Sequence, residues 1–234
     1  HQYSFSKSAK SALESINSKG DGIVIGNAGR YDYRDSTLLN GLLIHGLDFD
    51  DTHSNSVVHT TASALPTVIA ASQLWRNDPR EFLTAYILGM EMSARIGSVS
   101  GGMFQKRGFH PTGVVGIFGS ALAASKLANA CIKQMNYVQG IALSMASGSM
   151  QFLNGGAWTK RLHPGWSAHS ALYATLLGMN DFVGPSEAYG DRYGLFPLYL
   201  QNQDIDLSEI INNLGVRWEC SDVAIKPYPV CHYN

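Results

Sequence analysis

Residues 45–59, HGLDFDDTHSNSVVH, bring three Asp and three His into fifteen positions between two apolar helical stretches. As metal ligands, these carboxylates and one or two of the imidazoles would form an oxygen-rich site. Their spacing, however, matches neither the EF-hand loop nor the HExxH signature. On this stretch alone we therefore place a simpler interpretation first, in which Asp50 or Asp51 caps the next turn while the other polar side chains are solvated.

A second group of polar residues, KRGFHPTG at 106–113, precedes an Ala/Gly-rich helical pattern. Because His110 comes directly before Pro111, we expect it to be extended and to lie at the mouth of that helix. A helix N-terminus attracts anions through its free N–H groups, and Lys106 and Arg107 would add positive charge. This segment alone favours two interpretations equally: a site for a substrate carboxylate, or a histidine that only packs at a helix–loop junction.

The stretch TKRLHPGWSAH at 159–169 repeats the order of basic residues, His-Pro and a helix start. A pair of charges on a loop is usually solvated, but two such junctions in one small-residue domain suggest a shared role. The three clusters together supply Asp, Thr, His and Lys, without a CxxC pair or a nucleotide loop. That inventory is typical of metal-free acid–base chemistry on an anionic substrate, whose developing charge fixed N–H groups and cations stabilise.

Helical periodicity dominates the elements that must position these residues. We predict a helix over 5–18, a short extended segment or hairpin over 22–35, and a helix through Leu38–Leu47 that Asp35-Ser36 caps. Further helices are expected from TASALPTVIAASQLW, DPREFLTAYILGMEMSARIGSVS, PTGVVGIFGSALAASKLANA, MNYVQGIALSMASGSMQFL and SAHSALYATLLGMNDF.

Small residues recur along these helices. Gly113, Gly116 and Gly119 are spaced every third residue, which allows neighbouring helices to approach closely. Strand-like alternation is scarce until the last twenty residues. The predicted fold is therefore an all-α, Ala- and Gly-rich domain.

The composition argues against several classes of function. Hydrophobic residues make up 45% and charged residues 15% of the 234-residue chain, which allows a sizeable core. A net charge of −1 argues against nucleic acid as a partner, and no apolar run is long enough to span a membrane. Three separated cysteines indicate a reducing compartment rather than a disulfide framework or a structural zinc site. Because the chain begins without Met and ends just after a Pro-rich turn, we interpret it as an internal piece of a longer protein.

Four ordered motifs carry a resemblance to a known family. LLNGLLIHGLDFDDTH…VVH, GFHPTGVVGIFGSALAASKL, TKRLHPGWSAHSALYATLLGMNDFVGP and KPYPVCHY resemble the MmgE/PrpD family, which includes 2-methylcitrate dehydratase, cis-aconitate decarboxylase and iminodisuccinate epimerase. The resemblance implies a large helical domain over 1–215, without its N-terminal part, and the start of a smaller α+β lid domain over 216–234. It also implies a homodimer, in the cytoplasm or in the mitochondria of a eukaryote, that uses no cofactor or metal and acts on di- or tricarboxylates.

Carried over by motif, the resemblance implies four catalytic residues. His59 from VVH and His110 from GFHP would deliver or remove protons. Lys160 from TKRLHP would hold a substrate carboxylate, and Asp48 from DFDDT would orient a histidine. Which histidine is the acid and which the base stays open, because sequence specifies neither tautomer nor pKa.

Three further residues are expected to bind the substrate. Thr52 follows in the same DFDDT motif, Lys226 comes from KPYP on the lid side, and Arg161 adjoins the catalytic lysine. The remaining histidines of the first cluster, His45 and His53, are expected to be structural.

Departures from the family pattern bear on the reaction. The family usually has His-Pro-Ser where this chain has His59-Thr60-Thr61, which alters the loop that presents His59. Cys231, where a decarboxylase has His, and TKRLHPGW, with Arg161 and Trp166, are more similar to dehydratase members. We therefore predict a hydro-lyase that eliminates water from 2-methylcitrate or citrate. The alternatives are cis-aconitate decarboxylation, imino-diacid epimerisation, and a catalytically incomplete fragment that only packs or dimerises through its Gly/Ala-rich helices.

Overall fold

The computed structural model describes residues 3–201 and 205–230, and most of this part of the chain is α-helical. The helices are α1 (Ser4–Ser15), α2 (Tyr33–His45), α3 (Thr60–Trp75), α4 (Pro79–Val99), α5 (Met103–Lys106), α6 (Pro111–Leu127), α7 (Ile132–Met145), α8 (Thr159–Met179), α9 (Leu195–Leu200) and α10 (Ser208–Ile211). The all-α prediction is confirmed. Within the described ranges, no helix has both the length and the apolar character that a membrane span needs.

Helix α6 forms the centre of the domain. Nearly all of its residues are buried, and α3, α4, α7 and α8 pack around it. The small residues predicted on α6 are where its neighbours come closest: a Cβ on Gly116 would lie 2.6 Å from the Ser63 hydroxyl of α3, and one on Gly119 would collide with the Gly89 carbonyl of α4. The spacing of these glycines therefore sets how closely the central helices pack.

Two small antiparallel ladders complete the described structure. The first joins β1 (Gly22–Ile23) to β2 (Arg30–Tyr31), at the hairpin that the sequence predicts. The second joins β3 (Thr52–His53) to β4 (Val223–Ala224), and it places the end of the described chain beside the loop that follows α2.

Helix α2 begins and ends earlier than predicted. Its cap is Asp32, not Asp35-Ser36, because the Asp32 carboxylate accepts the Arg34 N–H at 2.9 Å. The helix ends at His45, and Asp48 then adopts a left-handed backbone conformation (φ 54°) that a helix cannot continue.

Helix α8 also begins before its predicted start. Its first residue is Thr159, so His163 and Pro164 lie inside the helix, and the expectation of a second His-Pro helix start is wrong. Proline removes one backbone hydrogen bond. Helix α8 nevertheless packs closely on α2, because a Cβ on Gly165 would collide with the Leu38 carbonyl. The burial of α8 against α2 offsets the backbone hydrogen bond that is lost at Pro164. As a result, Lys160 belongs to a rigid helical turn rather than to a loop.

A buried ion pair on α4 holds the segment that leads to β4. Arg95 Nε donates to Glu91 Oε1 at 2.5 Å, and the same guanidinium donates to the carbonyls of Ile210 and Arg217. The other oxygen of Glu91 accepts the Cys220 N–H at 2.9 Å. These bonds fix the path by which the chain returns to the helical domain.

The packing of α6 predicts the effect of one added methyl group. In Gly119→Ala, the new Cβ would meet the Gly89 carbonyl and the Ser93 side chain, so the free energy of unfolding should fall by about 1–3 kcal/mol. Gly155→Ala is the matched control, because no atom lies within 4 Å of a Cβ built there. Urea denaturation followed by circular dichroism measures both, and equal stability of the two variants would contradict the close helix contact.

Candidate active site

A cavity of about 500 Å³ opens between the end of α2 and the start of α8. Its wall includes His45, Asp48, Phe152, Lys160 and Arg161. Three of the seven predicted site residues thus line the cavity. Lys226 contacts the lining Asp48, the rings of His59 and His110 lie next to the lining His45, and Thr52 contacts His59.

Two lysines meet at Asp48. Lys160 Nζ from α8 lies 2.5 Å from Asp48 Oδ2, and Lys226 Nζ, two residues beyond β4, lies 2.7 Å from Asp48 Oδ1 and 3.0 Å from its backbone carbonyl. Burial opposes ionisation of this carboxyl, but the hydrogen bonds and charges of the two lysines outweigh it and hold the Asp48 pKa below its usual value. The floor of the cavity is therefore a carboxylate between two ammonium groups.

His59 is buried at the N-cap of α3, with one tautomer imposed on it. Its Nδ1 lies 3.0 Å from the Asp51 carbonyl, which only accepts, so Nδ1 carries the proton. The Thr52 hydroxyl lies 3.2 Å from the same nitrogen. Nε2 is then the unprotonated nitrogen, and it faces Asp48 Oδ1 at 4.0 Å. Burial, followed by the repulsion that a protonated His45 would exert, lowers the His59 pKa to about 3, so the ring is a neutral base at pH 7.

Asp51 holds the loop that presents His59. Its carboxylate accepts the Thr60 hydroxyl at 2.7 Å and the Thr61 N–H at 3.2 Å, and thereby caps α3. The capping role predicted for Asp50 or Asp51 thus belongs to Asp51. The accompanying expectation of solvated side chains is wrong, because Asp50, Thr52, His53 and His59 are all buried. Thr60 and Thr61, which stand where the family usually has Pro-Ser, donate the hydrogen bonds of this cap.

His110 is the extended N-cap residue of α6, as predicted, with Pro111 at the first helical position. Its Nδ1 lies 3.0 Å from His163 Nδ1, so one ring donates to the other. Burial, and then the charge of His45, lowers the pKa of His163 to about 4 and that of His110 well below its usual range. His163 was not among the residues predicted for the site. His163 comes three residues after Lys160. In a helix that begins at Thr159, this spacing places both side chains on one face, so a correct start for α8 would have revealed His163.

His45 belongs to the site, although it was expected to be only structural. It lines the cavity, and its ring centroid lies 4.5 Å from that of His59 and 5.6 Å from that of His110. Burial and the charge of Lys160 lower its pKa to about 3. His53, by contrast, lies away from the cavity, where its Nε2 is 3.1 Å from Glu219 Oε2.

The basic residues predicted near the site separate into two groups. Arg161 lines the cavity, donates from Nε to the Gly46 carbonyl at 2.8 Å, and stacks on Phe5 with 4.8 Å between guanidinium carbon and ring centroid. Lys106 and Arg107, which were expected to add charge, are exposed and do not line it.

The imidazoles also have the proximity that a metal ion requires. His45, His59 and His110 each place a ring nitrogen within 4.8 Å of the others, and His45 and His59 form a second such group with the carboxylates of Asp48 and Asp50. The Lys160 and Lys226 ammonium groups on the adjacent Asp48 oppose a second cation there. The combination of charges favours an anionic ligand.

Comparison with known proteins places this chain in the MmgE/PrpD family, because residues 1–208 match the MmgE/PrpD N-terminal domain. The chain is 28% identical over 235 residues to the cis-aconitate decarboxylase-like protein oryM of Aspergillus oryzae, an alignment covering 95% of this chain and 48% of that protein. It is 30% identical to the cis-aconitate decarboxylases of Mus musculus (86% of this chain, 42% of the relative) and Homo sapiens (83% and 40%). The chain thus spans less than half the length of these relatives.

The neutral imidazoles predict acid sensitivity. The folded-state pKa of His45, His59 and His163 lies below the unfolded value of 6.5, so the unfolded chain binds more protons at low pH. Stability is therefore full above pH 6.5 and falls, by about 1.4 kcal/mol per pH unit for each fully buried histidine, as pH drops from 6.5 toward the folded-state values.

Urea titrations between pH 7 and 5 measure this effect. His163→Asn should flatten the pH dependence by up to one proton, whereas Lys106→Gln, at an exposed position, should not change it. A stability that does not vary with pH over this range would show that the histidines are not held neutral.

Proposed function

We propose that this chain carries a substrate-binding and acid–base site of a lyase that acts on a tricarboxylate. The observation that supports this most directly is the Asp48 carboxylate between Lys160 and Lys226. A carboxylate of the protein occupies the place that a substrate carboxylate would take. Arg161 on the same wall adds a third cation for a ligand with several negative charges.

Decarboxylation of cis-aconitate is the reaction that the relatives favour, since two of those described are named for it. The C–C bond to the carboxylate of the saturated arm breaks and CO₂ leaves. The bonding electrons move through the double bond onto the carbon next to the other terminal carboxylate, and that carbon takes up one proton. The trianion and one proton thus give CO₂ and the dianion itaconate.

The residues of the cavity match the demands of this reaction. Electron density builds up on the carboxylate beside the developing carbanion, where the ammonium group of Lys160 or Lys226 stabilises it. The proton comes from an imidazolium, His59 or His110, that forms only after the substrate is bound. The negative charge of a bound trianion reverses the electrostatic balance that keeps these rings neutral.

Dehydration of 2-methylcitrate, the reaction predicted from sequence, is the second candidate. The neutral His59 Nε2 suits removal of a carbon-bound proton, and the hydroxyl would leave as water with a proton from an acid. The motif TKRLHPGW resembles dehydratases, while Cys231, the other residue in that argument, lies outside the described residues.

Product analysis separates the two reactions. The chain is incubated with cis-aconitate and, separately, with 2-methylcitrate, and products are followed by proton NMR. Itaconate and CO₂ support decarboxylation, an unsaturated tricarboxylate supports dehydration, and neither product from a folded chain contradicts both. Lys160→Met should lower kcat/KM by about 10²–10³, whereas Lys106→Met, outside the cavity, should leave it unchanged.

Binding alone should take up protons. A tricarboxylate raises the depressed pKa values of His59 and His110, so up to one proton per site should enter from solvent near pH 6.5, and fewer at pH 8. Calorimetry with the saturated analogue tricarballylate, in buffers of different ionisation enthalpy, measures this uptake without any turnover. Proton release on binding would contradict the proposed charge balance.

A further inference from the structure

A second carboxylate, Asp50, lies behind the cavity and has no role in the proposal so far. It is buried, and its Oδ2 lies 2.8 Å from His45 Nδ1. A carboxylate accepts, so His45 carries its proton on Nδ1 and its Nε2 is unprotonated. That Nε2 is buried and has no hydrogen-bond partner among the residues described, and the same holds for Asp50 Oδ1.

The same oxygen of Asp50 also faces the predicted catalytic histidine. Asp50 Oδ2 lies 3.4 Å from His59 Nδ1, the protonated nitrogen on the far side of the ring from Asp48. Asp50 therefore lies between two imidazoles. Its closer bond, to His45, fixes the carboxylate in a position where it faces His59.

We propose that Asp50 and His45 form a positioning pair for His59, in which Asp50 is the counter-ion of the His59 imidazolium and His45 holds Asp50 in place. This inference rests on the proposed function, in which His59 becomes protonated once a tricarboxylate is bound. Neither residue of the pair needs to touch the substrate. Removing the Asp50 carboxylate should make His59 harder to protonate.

Other charges also act on His59, and the pair must be distinguished from them. Asp48 Oδ1 lies 4.0 Å from the opposite ring nitrogen, and His110 lies on the α6 side. A protonated His45 and the lysines from α8 and from beyond β4 oppose protonation. Asp50 is the nearest carboxylate to the protonated nitrogen. The groups that face His59 are Asp48, Asp50, His45, His110, Lys160 and Lys226.

The test is the titration of His59, read by ¹³C–¹H NMR of its Cε1–H in the chain saturated with tricarballylate. In Asp50→Asn the apparent pKa of His59 should fall by about 1–3 units relative to the unaltered chain. Both His45→Leu and His45→Asn remove the repulsion of a protonated His45, so the two variants are compared with each other. The His59 pKa should be higher in His45→Asn than in His45→Leu, because only the amide N–H can take the place of Nδ1–H and hold Asp50. If Asp50→Asn fails to fold, the two His45 variants still decide the question.

His169→Asn is the matched control, since His169 is a half-buried histidine on α8 whose Nδ1 bonds the Arg34 carbonyl outside this cluster. An unchanged His59 titration in Asp50→Asn, an equal His59 pKa in the two His45 variants, or a shift in His169→Asn equal to that in Asp50→Asn would overturn the pair. In a chain that turns over, the high-pH limb of the kcat profile should move with the NMR shift. Should the unaltered chain transform neither cis-aconitate nor 2-methylcitrate, the proposed function fails, while the NMR titration still supports or overturns the pair.

Discussion

The site depends on one carboxylate that bridges two ammonium groups. Lys160 and Lys226 come from segments far apart in the chain, and both bond to Asp48. Without an anion between them, two close positive charges in a partly buried place would repel each other. Asp48 supplies that anion in the free protein. Its left-handed backbone turn points the carboxylate at both lysines as soon as α2 ends.

Several features of the fold bring Lys160 and Lys226 to Asp48. The close contact of α2 and α8 at Gly165 fixes the first turn of α8 next to the end of α2, so that Lys160 reaches across. The β3–β4 ladder and the buried Arg95–Glu91 pair hold the returning chain, so that Lys226 arrives from the other side. Backbone carbonyls accept most of the hydrogen bonds of Arg95, which makes the path insensitive to the side chains of that segment.

Much of the fold could be predicted from the sequence, because the helices are long and periodic and because the glycines on α6 are spaced for close packing. The seven site residues came from ordered motifs rather than from periodicity, and three of them, Asp48, Lys160 and Arg161, line the cavity. The site roles of His45 and His163 were missed, and the end of α2 and the start of α8 were predicted incorrectly. The end of α2 depends on the left-handed backbone of Asp48 and the start of α8 on a proline tolerated inside a helix, and both are decided by tertiary packing rather than by local pattern.

The buried histidines suggest how such a site would select its ligand. In the free protein, burial and neighbouring cations keep His45, His59 and His110 neutral, so none can act as an acid near pH 7. A ligand with one carboxylate supplies only the charge that Asp48 leaves unbalanced on the two lysines, so the rings stay neutral. A ligand with further carboxylates adds negative charge beyond this balance, and only that excess would raise the histidine pKa values. Under the proposed function, the electrostatic balance that keeps the histidines neutral in the free site would also favour polycarboxylates over monocarboxylates. This selection would act on protonation of the histidines as well as on binding.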